Sequence, residues 1–368
     1  MGVKSSLVGV APFAAMVAVG FLDVGMTTLS KAAMSRGMSH FVFVVYSNAL
    51  ATLILLPSSF IFLRPPPPTF SLLCKFFLLS LVGITIMQNC VFTGVSYSSP
   101  TLGSAIGNLV PAFTFLLVVI FRIEKLDLKS SRCQIKILGT LVLISGAMII
   151  TLYKGPPVFA LAIRSPSTSS NNPPTRQPSS SNVLGTANNW VVGGLFFATA
   201  SLCLSIWNAF QASILKVYTS EVTIVGFFCL FGTIQSAALS LIAERNLNSW
   251  KLRPDVELIS VLYSGVFGSV TSFCVQTWCI HKKGPVFVAM FQPLGVAIAA
   301  LMGVIFLGDT LYIGSVIGTI IISAGFYGVT WAQAEEEEKG EFKEDQLFLS
   351  SQKTPLLHSQ EEEIQKAV

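Results

Sequence analysis

The chain has 368 residues, 52% hydrophobic and only 11% charged, with a formal net charge of +5 and a mean hydropathy of +0.70. A water-soluble domain with 28 Phe and 18 acidic residues would precipitate, so the composition excludes an ordinary soluble enzyme and gives no footing for a nucleic-acid partner. The seven cysteines are scattered, odd in number and mostly inside apolar segments, which fits small core residues better than a disulfide framework or a metal set.

Ten stretches are apolar enough to cross a bilayer, whose hydrocarbon core needs about 20 residues of helix. They lie near 8–30, 40–63, 70–95, 100–121, 134–153, 188–212, 222–243, 257–280, 285–307 and 310–331. The first is long and is followed by nine more, so it reads as a retained helix and not a cleaved signal peptide. Pro65-Pro66-Pro67-Pro68 forces an extended connector between the second and third. Residues 154–187, rich in Ser, Pro and Asn, read as a flexible linker. Residues 333–368, with Glu335-Glu336-Glu337-Glu338 and Glu361-Glu362-Glu363, read as a disordered acidic tail.

Lys and Arg of the connections favour the N-terminal side by 11 to 8, which puts both termini in the cytosol. Met1-Gly2-Val3-Lys4-Ser5-Ser6 fits a loose acylation pattern, but ten helices already anchor the chain.

Shifting the chain by 185 places lays one half over the other. Asp23 meets Asn208, Lys31 meets Lys216, Gly83 meets Gly268, Pro100 meets Pro285, and Val119-Ile120-Phe121 meets Val304-Ile305-Phe306. After a shorter loop, Gly139 and Gly146 correspond to Gly318 and Gly325. The expected fold is therefore an all-α membrane protein of ten transmembrane helices in two five-helix repeats, 8–153 and 188–332. Five spans per unit is odd, so the second repeat enters the membrane inverted, as in many secondary carriers.

The fourth and ninth spans are the most interrupted, with Gly107, Asn108 and Pro111 in one and Gln292, Pro293 and Gly295 in the other. A mid-helix Pro frees a carbonyl, which lipid tolerates only against protein or a water-lined cavity, so Pro111 and Pro293 mark helix breaks beside a solute site. Ordinary packing kinks are the plainer explanation.

Asp23 is the one carboxylate well inside an apolar span. A charge at mid-bilayer costs about 2.5–3.5 kcal/mol, so it should face the bundle interior. There it suits a proton-coupling group or a partner for a solute amine; a structural bond to a neighbouring helix is the alternative. Gln88, Asn108, Asn208, Gln211, Gln276 and Gln292 are amides that can meet both charges of a zwitterion, although each alone would serve as helix–helix glue worth about 0.6–2 kcal/mol. Lys31 and Lys216 end the first and sixth spans, where they can snorkel to the headgroups or close a gate. Trp207, beside Asn208, is a candidate cavity wall.

Motifs for hydrolases, metalloproteases and nucleotide-driven pumps are missing, so neither an enzyme nor a cofactor is expected. A non-transporting membrane receptor or scaffold that signals through the acidic tail is the rival class.

The stretch Gln88-Asn89, Thr93-Gly94, Tyr97-Ser98-Ser99-Pro100-Thr101, Asn108-Leu109-Val110-Pro111-Ala112-Phe113-Thr114, then Phe121-Arg122-Ile123-Glu124-Lys125, resembles the plant nodulin-21-like transporters, also called UMAMIT or walls-are-thin-related proteins, in the EamA branch of the drug/metabolite transporters. Lys283-Gly284-Pro285-Val286-Phe287-Val288, Pro293 and Gly308-Asp309 resemble its second-half signature. The resemblance spans about 10–332 and implies a ten-helix EamA fold with a central cavity. It implies facilitated or proton-linked movement of amino acids, or of auxin-like indole acids in some relatives, across the plasma membrane in preference to the vacuolar membrane, and leaves room for homo-oligomers. Gly20, Gln292 and Asp23 depart from the pattern of many relatives. The expected mechanism is alternating access, the third, fourth, eighth and ninth helices rocking about a midplane site capped by the first and sixth.

Overall fold

The computed structural model describes residues 2–63, 66–97, 100–121, 123, 131–153, 157–159, 183–218, 220–243, 250–252, 254–302, 305, 311–332 and 335. Nearly all of the linker, almost the whole acidic tail and the basic residues Lys125 and Lys129 lie outside them. With no water in a bilayer core, backbone groups must pair within the segment, and the apolar stretches accordingly form helices. In chain order these are α1 Gly2–Ser35, α2 His40–Ser58, α3 Phe70–Ser80, α4 Met87–Tyr97, α5 Pro100–Gly107, α6 Val110–Ile120, α7 Ser131–Leu152, α8 Val183–Leu215 and α9 Glu221–Ala243. They continue as α10 Val256–Tyr263, α11 Phe273–Lys283, α12 Pro285–Ala289, α13 Phe291–Met302 and α14 Ile313–Ala332.

Among the described residues, nine helical stretches are long and apolar enough to cross a membrane, and Ala105–Ile120 is a shorter apolar one. The shortfall from ten is physical: the fourth predicted span is split at Asn108-Leu109 into α5 and α6. A short antiparallel ribbon, β1 Pro157–Phe159 against β2 Leu311–Tyr312, is the departure from all-helical structure.

Local chemistry sets the helix ends. Gly37 takes φ +100°, with Gly37 N–H bonded to the Met34 carbonyl and Met38 N–H to the Ala33 carbonyl, a Schellman stop that glycine supplies without strain. Gly284, at φ +86°, ends α11, and Pro285 opens α12 where its missing N–H costs nothing. At the fourth-span break Pro111 also sits in a first turn, that of α6. Ser201 and Ser205 of α8 donate to the Ile106 and Val110 carbonyls at 3.4 and 3.2 Å, which packs this break against α8.

Two π-helical segments matter more. Leu81–Ile86 joins α3 to α4, and Ser264–Ser272 joins α10 to α11. The 185-residue shift carries the first into the second, Gly83 onto Gly268, so both repeats carry the same irregularity at the same depth. Such bulges recur at functional sites because they widen a helix and re-aim its side chains.

The two repeats meet in antiparallel pairs. In α7 and α14, a Cβ on Gly139 would lie 3.0 Å from the Gly325 carbonyl oxygen and one on Gly325 would lie 2.8 Å from that of Gly139. Gly146 and Gly318 face each other in the same reciprocal way, at 2.9 and 2.6 Å. Equivalent glycines thus exchange contacts across a pseudo-two-fold axis, the arrangement inverted copies produce. Helices α2 and α9 are likewise antiparallel, with Ser59 Oγ and Thr223 Oγ1 at 2.5 Å and Leu55 and Leu56 against Gly226.

Candidate functional site

The interior holds two adjoining cavity lobes of about 370 and 270 Å³. Asp23, Thr27, Leu204, Gln276 and Gln292 line both, which makes them one chamber. Its volume is in the range of small-molecule sites, which are mostly apolar with a few placed polar groups. The larger lobe runs from mid-α1 toward the Gly37 face, between α1, α2, α4 and the two π-helical segments.

Asp23 projects from α1 into the chamber, where its Oδ1 accepts a hydrogen bond from Ser272 Oγ at 2.9 Å. The π turn brings Ser272 there, since the same hydroxyl lies 3.0 Å from the Phe267 carbonyl five residues back. Ser272 was not picked out by sequence; the signal for it was only Gly268, four residues earlier. A hydrogen bond to a charged acceptor is worth about 1.5–3 kcal/mol, so Ser272→Ala is expected to weaken the hold of α1 on the second π-helical segment by about that much, which thermal unfolding in detergent checks.

Of the predicted solute contacts, the structure brings Asp23, Gln88, Asn208, Gln276 and Gln292 to the chamber wall. Gln88 Oε1 and Asn208 Oδ1 are buried with no partner among the described residues, as is Asn48 Oδ1 on α2. A buried, unpaired amide oxygen is costly, so these three side chains are the polar groups of the wall with unmet hydrogen-bonding capacity. Asn48 and Ser47 add polar surface that sequence reading missed, although two polar residues inside an apolar span were the available signal.

Asn108 and Gln211 are not on the wall. Both are buried in protein, Gln211 donating to Thr277 Oγ1 at 2.6 Å while its Oε1 and the Asn108 Nδ2 lack partners. Pro293 lies in the first turn of α13, after the break at Met290, and there the neighbouring Gln292 and Gly295 do face the chamber. The ninth-span break therefore borders the site and the fourth-span break does not. The Lys216 ammonium donates to the Ile123 carbonyl, tying α8 to the end of α6. The side chain of Lys31 lies outside the described residues.

Aromatic rings form the apolar wall. Trp207 lies beside Phe228 and Phe273, with ring centroids 5.5 and 5.9 Å away, and all three face the larger lobe. A Cβ on Gly83 would come within 2.4 Å of Trp207 Cδ1, so only glycine lets the indole reach its place. No Lys, Arg or His is found among the described residues lining either lobe.

The two faces are tied differently. On the Gly37 face Arg36 pairs with Asp255, and the Val256 N–H with that guanidinium holds the Asp255 carboxyl below the usual carboxylate range. On the opposite face His281 Nδ1 and Glu221 Oε1 are 2.7 Å apart, and Tyr218 donates to the Pro66 carbonyl at 3.0 Å.

The EamA-like transporter family model matches twice, over residues 12–152 and 191–331. A WAT1-related protein of Arabidopsis thaliana is 48% identical over 89% of this chain and 88% of its own length. A second is 44% identical over 95% and 96%, and the protein WALLS ARE THIN 1 of the same plant is 36% identical over 96% and 88%. A solved crystal structure of a protein 14% identical superposes with a TM-score of 0.62 over 88% of this chain and 99% of that one, a likeness of fold.

Proposed function

Because the chain belongs to the EamA-like transporter family, among the WAT1-related membrane proteins of plants, we propose that it is a secondary carrier of ammonium-bearing solutes, amino acids foremost, working by alternating access. The observation that carries the reading is a chamber whose described wall holds one carboxylate, Asp23, several amides and no basic side chain. An amino acid can set its ammonium on Asp23 and its carboxylate on the amide N–H groups of Gln276 and Gln292, with an apolar side chain against Trp207 and Phe273. An indole carboxylate would bring a second negative charge toward Asp23 with no cation to offset it, and like charges in a low-dielectric site repel strongly. Asp23 can also take up a proton when no amine is present, which would link the solute to proton movement.

On this reading both termini lie in the cytosol, the host is the plasma membrane, and the third, fourth, eighth and ninth spans of the repeats 8–153 and 188–332 rock about a site capped by the first and sixth. Uptake and efflux of radiolabelled amino acids and indole acids in one heterologous cell test it, with saturable movement of amino acids expected. Movement of indole acids alone would overturn the amine assignment. Deletion of residues 335–368 is expected to leave flux per molecule unchanged, whereas a signalling scaffold would lose its effect.

A further inference from the structure

We infer that the half of the solute path closed in this structure runs between α8, α9 and the first π-helical segment, with Gln211, Leu215, Cys229, Gly232 and Ile84 on its walls. The inference rests on the alternating-access reading above.

Under the 185-residue shift the chamber wall divides in two. Gly83, Gly268, Phe43 and Phe228 all line the larger lobe, and the shift carries Gly83 onto Gly268 and Phe43 onto Phe228. This part maps onto itself and is the central region that both conformations share. The wall nearer the Gly37 face does not map onto itself. Met26, Ser30, Val44, Ser47 and Ser269 line the lobe, while their counterparts Gln211, Leu215, Cys229, Gly232 and Ile84 do not.

Those counterparts are packed shut. Ile84 and Cys229 are 0% exposed and Leu215 and Gln211 2%. A Cβ on Gly232 would meet Ile84 Cδ1 at 2.4 Å and Ser80 Oγ at 3.1 Å, so α9 touches the first π-helical segment at this point, whereas the corresponding Ser47 and Ser269 both line the larger lobe. When two inverted copies build a carrier, the opening seen on one side is a template for the other, because the same packing is exchanged between copies. An unpaired polar atom agrees with this: Gln211 Oε1 is buried without a partner among the described residues, a cost relieved once water or solute reaches it.

The two halves differ in composition: Ser30, Ser47 and Ser269 on the open side correspond to Leu215, Gly232 and Ile84 on the closed side, while Met26 corresponds to Gln211, so the closed half is a largely apolar gate around one amide. Wetting it exposes apolar surface, which holds that side shut until solute is bound.

Cys229 is a native reporter and Val44 is its counterpart. In a variant keeping Cys229 as its single thiol, a membrane-impermeant trimethylammonium methanethiosulfonate should label Cys229 from the His281–Glu221 face, and transported amino acid should speed labelling about tenfold by populating that state. Val44→Cys on the same background should be labelled from the opposite face and slowed by the same solute. Leu215→Cys is the second reporter for the closed half if Cys229 proves sterically shielded. Saturable flux with neither Cys229 nor Leu215→Cys reactive from the His281–Glu221 face overturns the path while leaving the carrier reading intact. Absence of saturable flux from the parent overturns the carrier reading and the path with it.

Discussion

Asp23→Asn is expected to raise the KM for amino acids and simple amines ten- to hundredfold. Removing one partner of a desolvated charge pair costs about 2–5 kcal/mol, and the lower part of that range applies because Asp23 faces a chamber that reaches toward one membrane face. The change keeps volume and one acceptor for Ser272, so the loss reads charge and not packing. Solutes that carry a carboxylate but no amine should bind the variant no worse than the parent, since a repulsion has been removed. The proton link should go as well: the pH dependence of amino-acid uptake should flatten. Unaltered KM and unaltered pH dependence in initial-rate uptake would leave Asp23 as a structural bond between α1 and the second π-helical segment.

The second large effect concerns the fold. Gly318→Leu in α14 is expected to destabilise the protein by about 3 kcal/mol or more, enough to remove most folded material, because overpacking a tight contact costs about 1–3 kcal/mol even where side chains can yield. Here they cannot: a Cβ at Gly318 would lie 2.6 Å from the Gly146 carbonyl oxygen, and backbone has no rotamer to escape into. Gly146→Leu should behave alike, since its Cβ would meet the Gly318 oxygen at 2.9 Å. Gly328 lies in the same helix with nothing within 4 Å of its Cβ position, so Gly328→Ala should be tolerated. Thermal unfolding in detergent, followed by size exclusion, compares the three. Equal stability of all three would mean that α7 and α14 are not held against each other.

Apolar length and the 185-residue register made the helices and their doubling legible, because a bilayer leaves helix as the one economical choice for a long apolar run. The chamber was legible where chemistry is expensive: Asp23, and the amides Gln88, Asn208, Gln276 and Gln292, line it because lipid would not accept them. What sequence did not reveal was phase. Nothing in hydropathy distinguishes an α turn from a π turn, so the segments that deliver Ser272 and Trp207's neighbours to the wall were invisible apart from Gly83 and Gly268. Asn108 and Gln211 were chosen as polar residues in broken or paired helices, and polarity alone does not say which side chains of a bundle reach a cavity and which are buried against a neighbouring helix. Pro111 sits in the first turn of α6, where its missing N–H costs nothing, so it marked a helix start and neither lobe reaches it.

The central claim is that two inverted five-helix copies enclose one chamber that serves each membrane face in turn. Uptake of radiolabelled amino acid into liposomes holding the purified protein, with and without unlabelled amino acid inside, tests it most directly. Alternating access predicts saturable uptake that is accelerated by the internal amino acid, because the loaded chamber returns faster than the empty one. Uptake no different from protein-free liposomes across the whole panel of amino acids and indole acids would contradict it.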